Sequence, residues 1–232
     1  MPSNIRQTDT WLALGLAFVG GYGDAASFVL AKTFTGHVTG NWVLGAISVA
    51  AHDWRATLGR LSAIVTFLIG VALSMLIARF MKAWPSLPLL PTVMGIEVIL
   101  IVAASLALAW GMVPRVAVFV ILVSLALGLQ NGAFRRVGGI SVHTTYLTGM
   151  ITSLISAEAE IYASGAPPTP VSAPDPKISL LSRIWIAFVL GAGIGAAMAF
   201  QFKGFGILGA AVILIALILH TTKGSPMVVL PI

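Results

Sequence analysis

The chain has 232 residues, of which 58% are hydrophobic and only 9% are charged, and its mean hydropathy is +1.02. Because a soluble domain carries about 25% charged residues, this composition excludes a soluble globular fold and predicts a helical protein in a lipid bilayer. The formal net charge of +6 does not indicate nucleic-acid binding, since the basic residues are scattered and Arg135-Arg136 is their one adjacent pair.

Six apolar runs are long enough to cross a bilayer as helices, which takes roughly 20 residues each. Their hydrophobicity is continuous and lacks the alternation of β-barrel strands, so we predict an all-α polytopic membrane protein with a single membrane domain over residues 1–232. In chain order the predicted spans are about Trp11–Leu30, Leu61–Lys82, Leu90–Trp110, Val113–Gly132, Leu181–Phe202 and Phe205–His220.

Two shorter apolar segments, Val38–His52 and Tyr146–Ile161, follow stretches rich in Gly, Thr and His. At about 15 residues each they would reach roughly 22 Å as helices, which is less than the hydrocarbon thickness. We therefore expect re-entrant or half helices at both places. Residues 163–179 contain five prolines and are predicted to form an extended, solvated loop.

An internal repeat relates the two halves of the chain, because three landmarks recur in the same order and at similar spacing. Chance similarity between apolar helices mimics one landmark far more easily than three in register. The sequence thus predicts a duplication, with repeat 1 at about residues 11–110 and repeat 2 at about 113–221. The matched pairs are Gly21-Tyr22-Gly23-Asp24 with Gly128-Leu129-Gln130-Asn131, Thr39-Gly40-Asn41 with Thr148-Gly149-Met150, and Phe67-Leu68-Ile69-Gly70 with Phe188-Val189-Leu190-Gly191.

The short segments decide whether the repeats are parallel or inverted. If they span, the protein has eight crossings and parallel repeats; if they are re-entrant, it has six crossings and inverted repeats. Lys and Arg favour the cytoplasmic side, and with the N-terminus inside, six crossings divide the basic residues eight inside to five outside. Eight crossings divide them seven to six, so the charges favour six crossings and inverted repeats. The eight inside are Arg6, Arg79, Lys82, Arg135, Arg136, Lys177, Arg183 and Lys223.

Two acidic residues, Asp24 and Glu97, lie within apolar runs, where charge is costly and an ionisable group indicates function. Asp24 either contacts an ion, a proton or a substrate, or hydrogen-bonds a neighbouring helix terminus as a structural carboxyl. Glu97 either faces a cavity or sits protonated between helices. Asn131 occupies the position of Asp24 in the second half, beside Gln130, so this pair is expected either to frame a solute site or to join helices through amide hydrogen bonds.

The two Thr-Gly pairs open the short segments. Thr39 and Thr148 are predicted N-caps, and Gly40 and Gly149 permit close packing or exposed backbone. A half-helix that starts inside the membrane directs a partial positive charge at whatever lies there, which suits a polar or anionic solute with Asn41 as an added hydrogen-bonding group. The structural alternative is a pair of capped interfacial helices joined by turns.

Other chemistry finds little support in the sequence. The chain has no cysteine and no cluster of His and Glu at metal-ligand spacing, so no metal or other cofactor is predicted. His37 and His143 could relay protons, while Arg135 and Arg136 are more typical of topology determinants than of substrate clamps. No Walker A, His-Glu-x-x-His or Gly-x-Ser-x-Gly motif occurs, and we expect no enzyme activity.

The motifs around Asp24, Asn41, Gln130 and Thr148, together with Glu97, resemble the YoaK family of bacterial membrane proteins over essentially the whole chain. Met150, which stands where the first half has Asn41, departs from a symmetric site. The resemblance implies about six spans in the inner membrane and supplies no substrate. We expect a small transporter or channel for a small polar or ionic solute, and the alternative is a structural or signalling membrane protein. A homo-oligomer is compatible with either function.

Overall fold

The computed structural model describes residues 7–83, 88–110, 115–137, 140–142 and 176–223, together with 149, 151–153, 155, 156 and 159. Over these residues the structure has seven α-helices, of which α2 is the shortest. Their bounds are α1 Gln7–Ala31, α2 Val38–Ala50, α3 Trp54–Met81, α4 Leu89–Ala109, α5 Arg115–Ala133, α6 Pro176–Phe202 and α7 Leu208–Lys223. A 3-10 turn, Lys203–Ile207, joins α6 to α7, and a two-stranded antiparallel hairpin of β1 (Arg136–Val137) and β2 (Ile140–Ser141) follows α5.

Five helical stretches are long and apolar enough to cross a membrane, and α1, α3, α4 and α5 are four of them. The fifth, Lys177–Thr221, has 45 residues and contains both α6 and α7. As one straight helix it would measure roughly 67 Å, about twice the hydrocarbon thickness. The chain instead turns at Lys203, whose φ is +51°, so this stretch accounts for the last two predicted spans. The prediction of an all-α polytopic membrane protein is confirmed.

Several predicted boundaries are wrong by up to seven residues. Helix α3 begins at Trp54 rather than Leu61, because Asp53 accepts a hydrogen bond from the backbone N–H of Ala56 (3.0 Å) and caps the helix there. Helix α6 begins at Pro176, inside the predicted loop, since proline suits the first position of a helix. Residues 163–175 of that loop lie outside the described residues, as does most of the second short segment.

Two helix pairs pack so closely that glycine is required at the crossing points. A Cβ atom on Gly21 in α1 would collide with the carbonyl of Phe188 in α6, and a Cβ on Gly191 in α6 would collide with the carbonyl of Phe18 in α1. Glycine at such sites lets two backbones approach within van der Waals distance. The first helix of one half is thereby locked to a helix of the other half.

The pair α3 and α5 repeats this arrangement with the matched residues. A Cβ on Gly128 would collide with the carbonyl of Phe67, and a Cβ on Gly70 would lie 2.5 Å from the carbonyl oxygen of Leu125. Phe67 and Gly70 are the residues that the repeat aligns with Phe188 and Gly191. Each half therefore contributes its first helix to a tight pair completed by the other half.

The same contacts give the directions of the helices. In α1 and α6 the neighbours are Phe18 with Gly191 and Tyr22 with Gly195, so both numbers rise together and these helices run parallel. Helices α3 and α5 also run parallel, because Gly128 lies beside Phe67 and Gly132 beside Val71.

Helices α1 and α5 run in opposite directions. Gly23 lies next to the side chain of Leu127, whereas the carbonyl of Leu16, seven residues earlier in α1, accepts a hydrogen bond from Gln130, three residues later in α5. Since α3 is parallel to α5, it returns across the membrane opposite to α1. The turn between α2 and α3 contains only residues 51–53, and Arg60 of α3 donates to the carbonyl of Leu44, so α2 runs antiparallel to α3 and in the same direction as α1.

Candidate functional site

Asp24 holds the loop that connects α1 to α2. Its side chain is only 4% exposed, and Oδ1 accepts hydrogen bonds from the backbone N–H groups of Thr35 (2.8 Å) and Gly36 (2.6 Å). The backbone N–H of His37 also contributes to this site. Successive backbone N–H groups that converge on one point form an anion-binding concavity, and Asp24 occupies it.

This contact places the start of α2 beside Asp24 rather than beyond the end of α1. Asp24 lies seven residues before the end of α1 at Ala31, which corresponds to roughly 10 Å along the helix axis. The chain therefore turns back after α1 before α2 sets out again in the direction of α1. With 13 residues, α2 is a short helix, as the sequence predicted for this place.

The prediction that Thr39 caps α2 is wrong. The helix begins at Val38, His37 holds the N-cap position without a side-chain cap bond, and Thr39 lies exposed in the first turn. The physical reason is that Asp24, from another helix, supplies the acceptor for the backbone N–H groups just before the helix. The partial positive charge of this helix start is thus already matched by a carboxylate of the same chain.

Asn41 closes the same loop from the other side. Its Oδ1 accepts from the backbone N–H of Phe34 (3.1 Å), and its Nδ2 donates to the carbonyl of Phe34 (2.7 Å). Thr35 adds a hydroxyl bond to Ser27 of α1 (3.1 Å). Gly40 is tightly enclosed, since a Cβ there would lie 2.6 Å from the His37 ring. The sequence did not indicate Ser27, Phe34 and Thr35 as parts of this site. Phe34 takes part through its backbone, and single hydroxyl groups such as those of Ser27 and Thr35 form no recognisable sequence motif.

Gln130 and Asn131 lie at a different depth from Asp24. The fully buried Gln130 donates from Nε2 to the carbonyl of Leu16 in α1 (3.1 Å), and Leu16 is eight residues, roughly 12 Å, from Asp24 along that helix. Asn131 lines a cavity with Val71, Arg135, Arg136 and Ser141. The structure therefore places the matched residues Asp24 and Asn131 at separate levels of the α1–α5 pair, as follows from the opposite directions of these helices.

Glu97 is fully buried in α4, two residues from the middle of that helix. Neither carboxyl oxygen has a hydrogen-bond partner among the residues that the structure describes. Helix α4 packs against α5 and α7, and the hydroxyl of Ser124 in α5 is likewise buried without a described partner. An ionised carboxylate in such surroundings would be costly, so this side chain is the strongest departure from an apolar core.

Of the two remaining predicted residues, Thr148 lies outside the described residues. Gly149 is helical, and its carbonyl accepts a hydrogen bond from the Ser153 hydroxyl (2.9 Å). Within the described ranges, His, Asp and Glu nowhere form a group of three that would hold a metal ion.

These features define the chain as a polytopic α-helical membrane protein with acidic and amide side chains buried within its spans. It belongs to the family described as protein of unknown function (DUF1275), whose model matches residues 12–221. The UPF0700 transmembrane protein YoaK of Bacillus subtilis (strain 168) is 30% identical over 151 residues, which cover 63% of this chain and 65% of the relative. The chain thus matches slightly less than two thirds of that relative's length. No solved structure matches. The resemblance to the YoaK family is confirmed.

Proposed function

We propose that this protein is a small transporter or channel of the bacterial inner membrane, with a path for a polar or ionic solute between two inverted halves. The observation that carries the proposal is the opposite direction of α1 and α5, each of which brings buried polar side chains into the spans. Inverted halves are a recurrent architecture of secondary transporters, in which the solute site lies at the interface of the repeats. No catalytic reaction forms part of the proposal.

Two sets of contacts and the distribution of basic residues support the inverted arrangement. The reciprocal glycine contacts join α1 to α6 and α3 to α5 through matched residues. Helix α2 runs with α1 rather than against it, so it does not add a crossing. The predicted charge distribution, eight basic residues inside against five outside, also favours six crossings.

Glu97 and Gln130 are the side chains proposed to border the solute path, with Asp24 and Asn41 fixing the half-helix α2 beside it. Glu97 is fully buried in α4, which packs against α5, and Gln130 bridges α5 to α1. The groups that Asp24 and Asn41 bind are all backbone atoms of one loop. Their role in the proposal is to position α2, whereas Glu97 supplies a carboxyl available to a solute or a proton.

Osmotic swelling of proteoliposomes tests the transport function. Wild-type protein is reconstituted and challenged with chloride, phosphate, glycine and glycerol, and flux of at least one solute should exceed that of protein-free liposomes. Glu97→Gln should reduce this flux several-fold, since the amide can neither take up nor release a proton and one hydrogen bond is worth about 0.5–1.5 kcal/mol. The matched control is Gly193→Ala, because a Cβ there meets open space. Flux equal to protein-free liposomes for every solute would refute the proposal, and flux unchanged in an Asp24→Asn, Asn131→Leu double variant would refute the sequence-based expectation that Asp24 and Asn131 belong to the solute site.

A structural or signalling role is the second candidate, and the hydrogen bonds of Asp24 and Asn41 to backbone favour it. If the polar motifs only pack helices, the same double variant fails to assemble and no solute stabilises the wild type. A ligand that binds only the native state raises apparent stability, so a thermal-shift series with the four swelling solutes separates the two functions.

A further inference from the structure

We propose that the cavity at the end of α5 is a binding site for a small oxyanion, such as a phosphate, sulfate or carboxylate group. The cavity has a volume of about 360 Å³ and is lined by Val71, Asn131, Arg135, Arg136 and Ser141. Binding of an oxyanion here does not depend on the proposed function. The further claim that the transported solute is an oxyanion rests on that proposed function.

Three elements build the walls of this cavity. Asn131 lies in the last turn of α5, Val71 comes from α3, and the hairpin β1–β2 pairs Arg136 with Ser141. The backbone N–H of Val142 donates to the carbonyl of Arg135 (2.9 Å), so backbone hydrogen bonds hold the hairpin segment that bears both arginines. Because α3 and α5 pack closely at their glycines, the two helical walls of the cavity are held against each other.

The donors around the cavity suit an oxyanion. Among the lining residues that the structure describes, none is acidic and two carry a guanidinium group. Each guanidinium presents five N–H donors in a planar fork that matches the paired oxygens of carboxylate and phosphate. The amide of Asn131 and the hydroxyl of Ser141 add neutral donors. Topology alone accounts for two positive charges at a cytoplasmic helix end but not for their convergence with an amide and a hydroxyl.

The two halves differ in whether the chain supplies an anion at the matched position. In the first half, the carboxylate of Asp24 fills the concavity formed by backbone N–H groups of the following loop. Asn131 stands at the matched position of the second half, so that carboxylate is absent, and Arg135 and Arg136 follow within five residues. The first half therefore supplies its own anion, whereas the second half has a neutral amide and two additional positive charges.

Phosphate titration of the purified full-length protein tests the site. In detergent, phosphate should raise the melting temperature above that in chloride of equal ionic strength. An Arg135→Gln, Arg136→Gln double variant should weaken the apparent affinity at least about tenfold, because bonds to charged groups are lost. The matched control is Arg115→Gln, an exposed arginine at the opposite end of α5, which should bind phosphate as the wild type does. Since all three side chains are exposed, the variants should fold.

A second measurement separates a soluble anion from a lipid headgroup. The protein is placed in nanodiscs of phosphatidylcholine alone or with phosphatidylglycerol, without phosphate in the buffer. Stabilisation by phosphate, lost in the double variant, supports a soluble oxyanion; stabilisation by phosphatidylglycerol alone, lost in the same variant, supports a headgroup site. An equal response of wild type and double variant to both, or no response, overturns the site. If phosphate binds but no solute crosses the membrane, the anion site stands and the transport function is refuted. If a solute crosses but neither phosphate nor phosphatidylglycerol stabilises the protein, the transport function stands and the anion site is refuted.

Discussion

At the scale of single residues, Asp24 illustrates how a carboxyl within a span is satisfied without a charged partner. Its Oδ1 accepts two short bonds from consecutive backbone N–H groups, and backbone donors are as effective as side chains for this purpose. The sequence marked Asp24 and Asn41 as important because they are polar within apolar runs. It could not identify their partners, since every residue except proline offers the same backbone N–H group.

Replacing Asp24 should expose the energetic weight of this contact. Asp24→Leu leaves the buried N–H groups of Thr35 and Gly36 without an acceptor, which costs about 1–3 kcal/mol for each group. Asp24→Asn keeps an acceptor oxygen and should lower the melting temperature much less. Thermal denaturation of the purified variants in detergent measures the difference, with Asp9→Asn in the first turn of α1 as the control. A melting temperature of Asp24→Leu equal to that of the wild type would contradict the structural role.

At the scale of elements, the type of the described helices was predictable from the sequence but their ends were not. Continuous apolar runs located α1, α3, α4 and α5, because a bilayer demands length and hydrophobicity. The early start of α3 depends on the N-cap at Asp53. The turn after α6 depends on Lys203, whose φ of +51° is a backbone angle that glycine adopts readily and other residues rarely do. The chain has 24 glycines, too many for the sequence to indicate which of them lie at helix crossings. Only the structure shows which ones lie at crossings.

Adding a methyl group at a crossing should separate the helices. A Cβ on Gly191 would collide with the carbonyl of Phe18, whereas a Cβ on Gly193, two residues further along α6, meets nothing within 4 Å. We expect Gly191→Ala to destabilise the protein by about 1–3 kcal/mol or more, the usual cost of overpacking, and Gly193→Ala to leave it unchanged. Chemical or thermal unfolding in detergent compares them. Equal stability of the two variants would show that α1 and α6 are not in backbone contact.

The second half offers a replicate of this experiment. Gly128→Ala in α5 would collide with the carbonyl of Phe67 in α3, and Gly95→Ala in α4 meets open space. If the two tight pairs are equivalent, Gly128→Ala should destabilise the protein about as much as Gly191→Ala. A clear difference between them would indicate that the matched crossings are packed differently.

At the scale of the whole molecule, the central claim is that two matched halves cross the membrane in opposite directions. The sequence supplied the matched landmarks and a modest charge bias, and it left parallel and inverted repeats open. The observation that favours the inverted arrangement is the register of contacts between α1 and α5, which depends on the positions of Gly23, Leu127, Leu16 and Gln130 in space. Side-chain contacts between distant helices have no local signature in a single sequence.

Single-cysteine labelling measures these directions most directly, and the chain contains no native cysteine to obscure the result. Gln7, Ala51 and Ser141 are exposed and lie at the start of α1, between α2 and α3, and after α5. Each is replaced by cysteine and treated with a membrane-impermeant maleimide in intact cells and in inverted vesicles. The account predicts that Gln7→Cys and Ser141→Cys react only in inverted vesicles and Ala51→Cys only in intact cells. Reaction of Ala51→Cys on the same face as Gln7→Cys, or of Ser141→Cys on the opposite face, would contradict it.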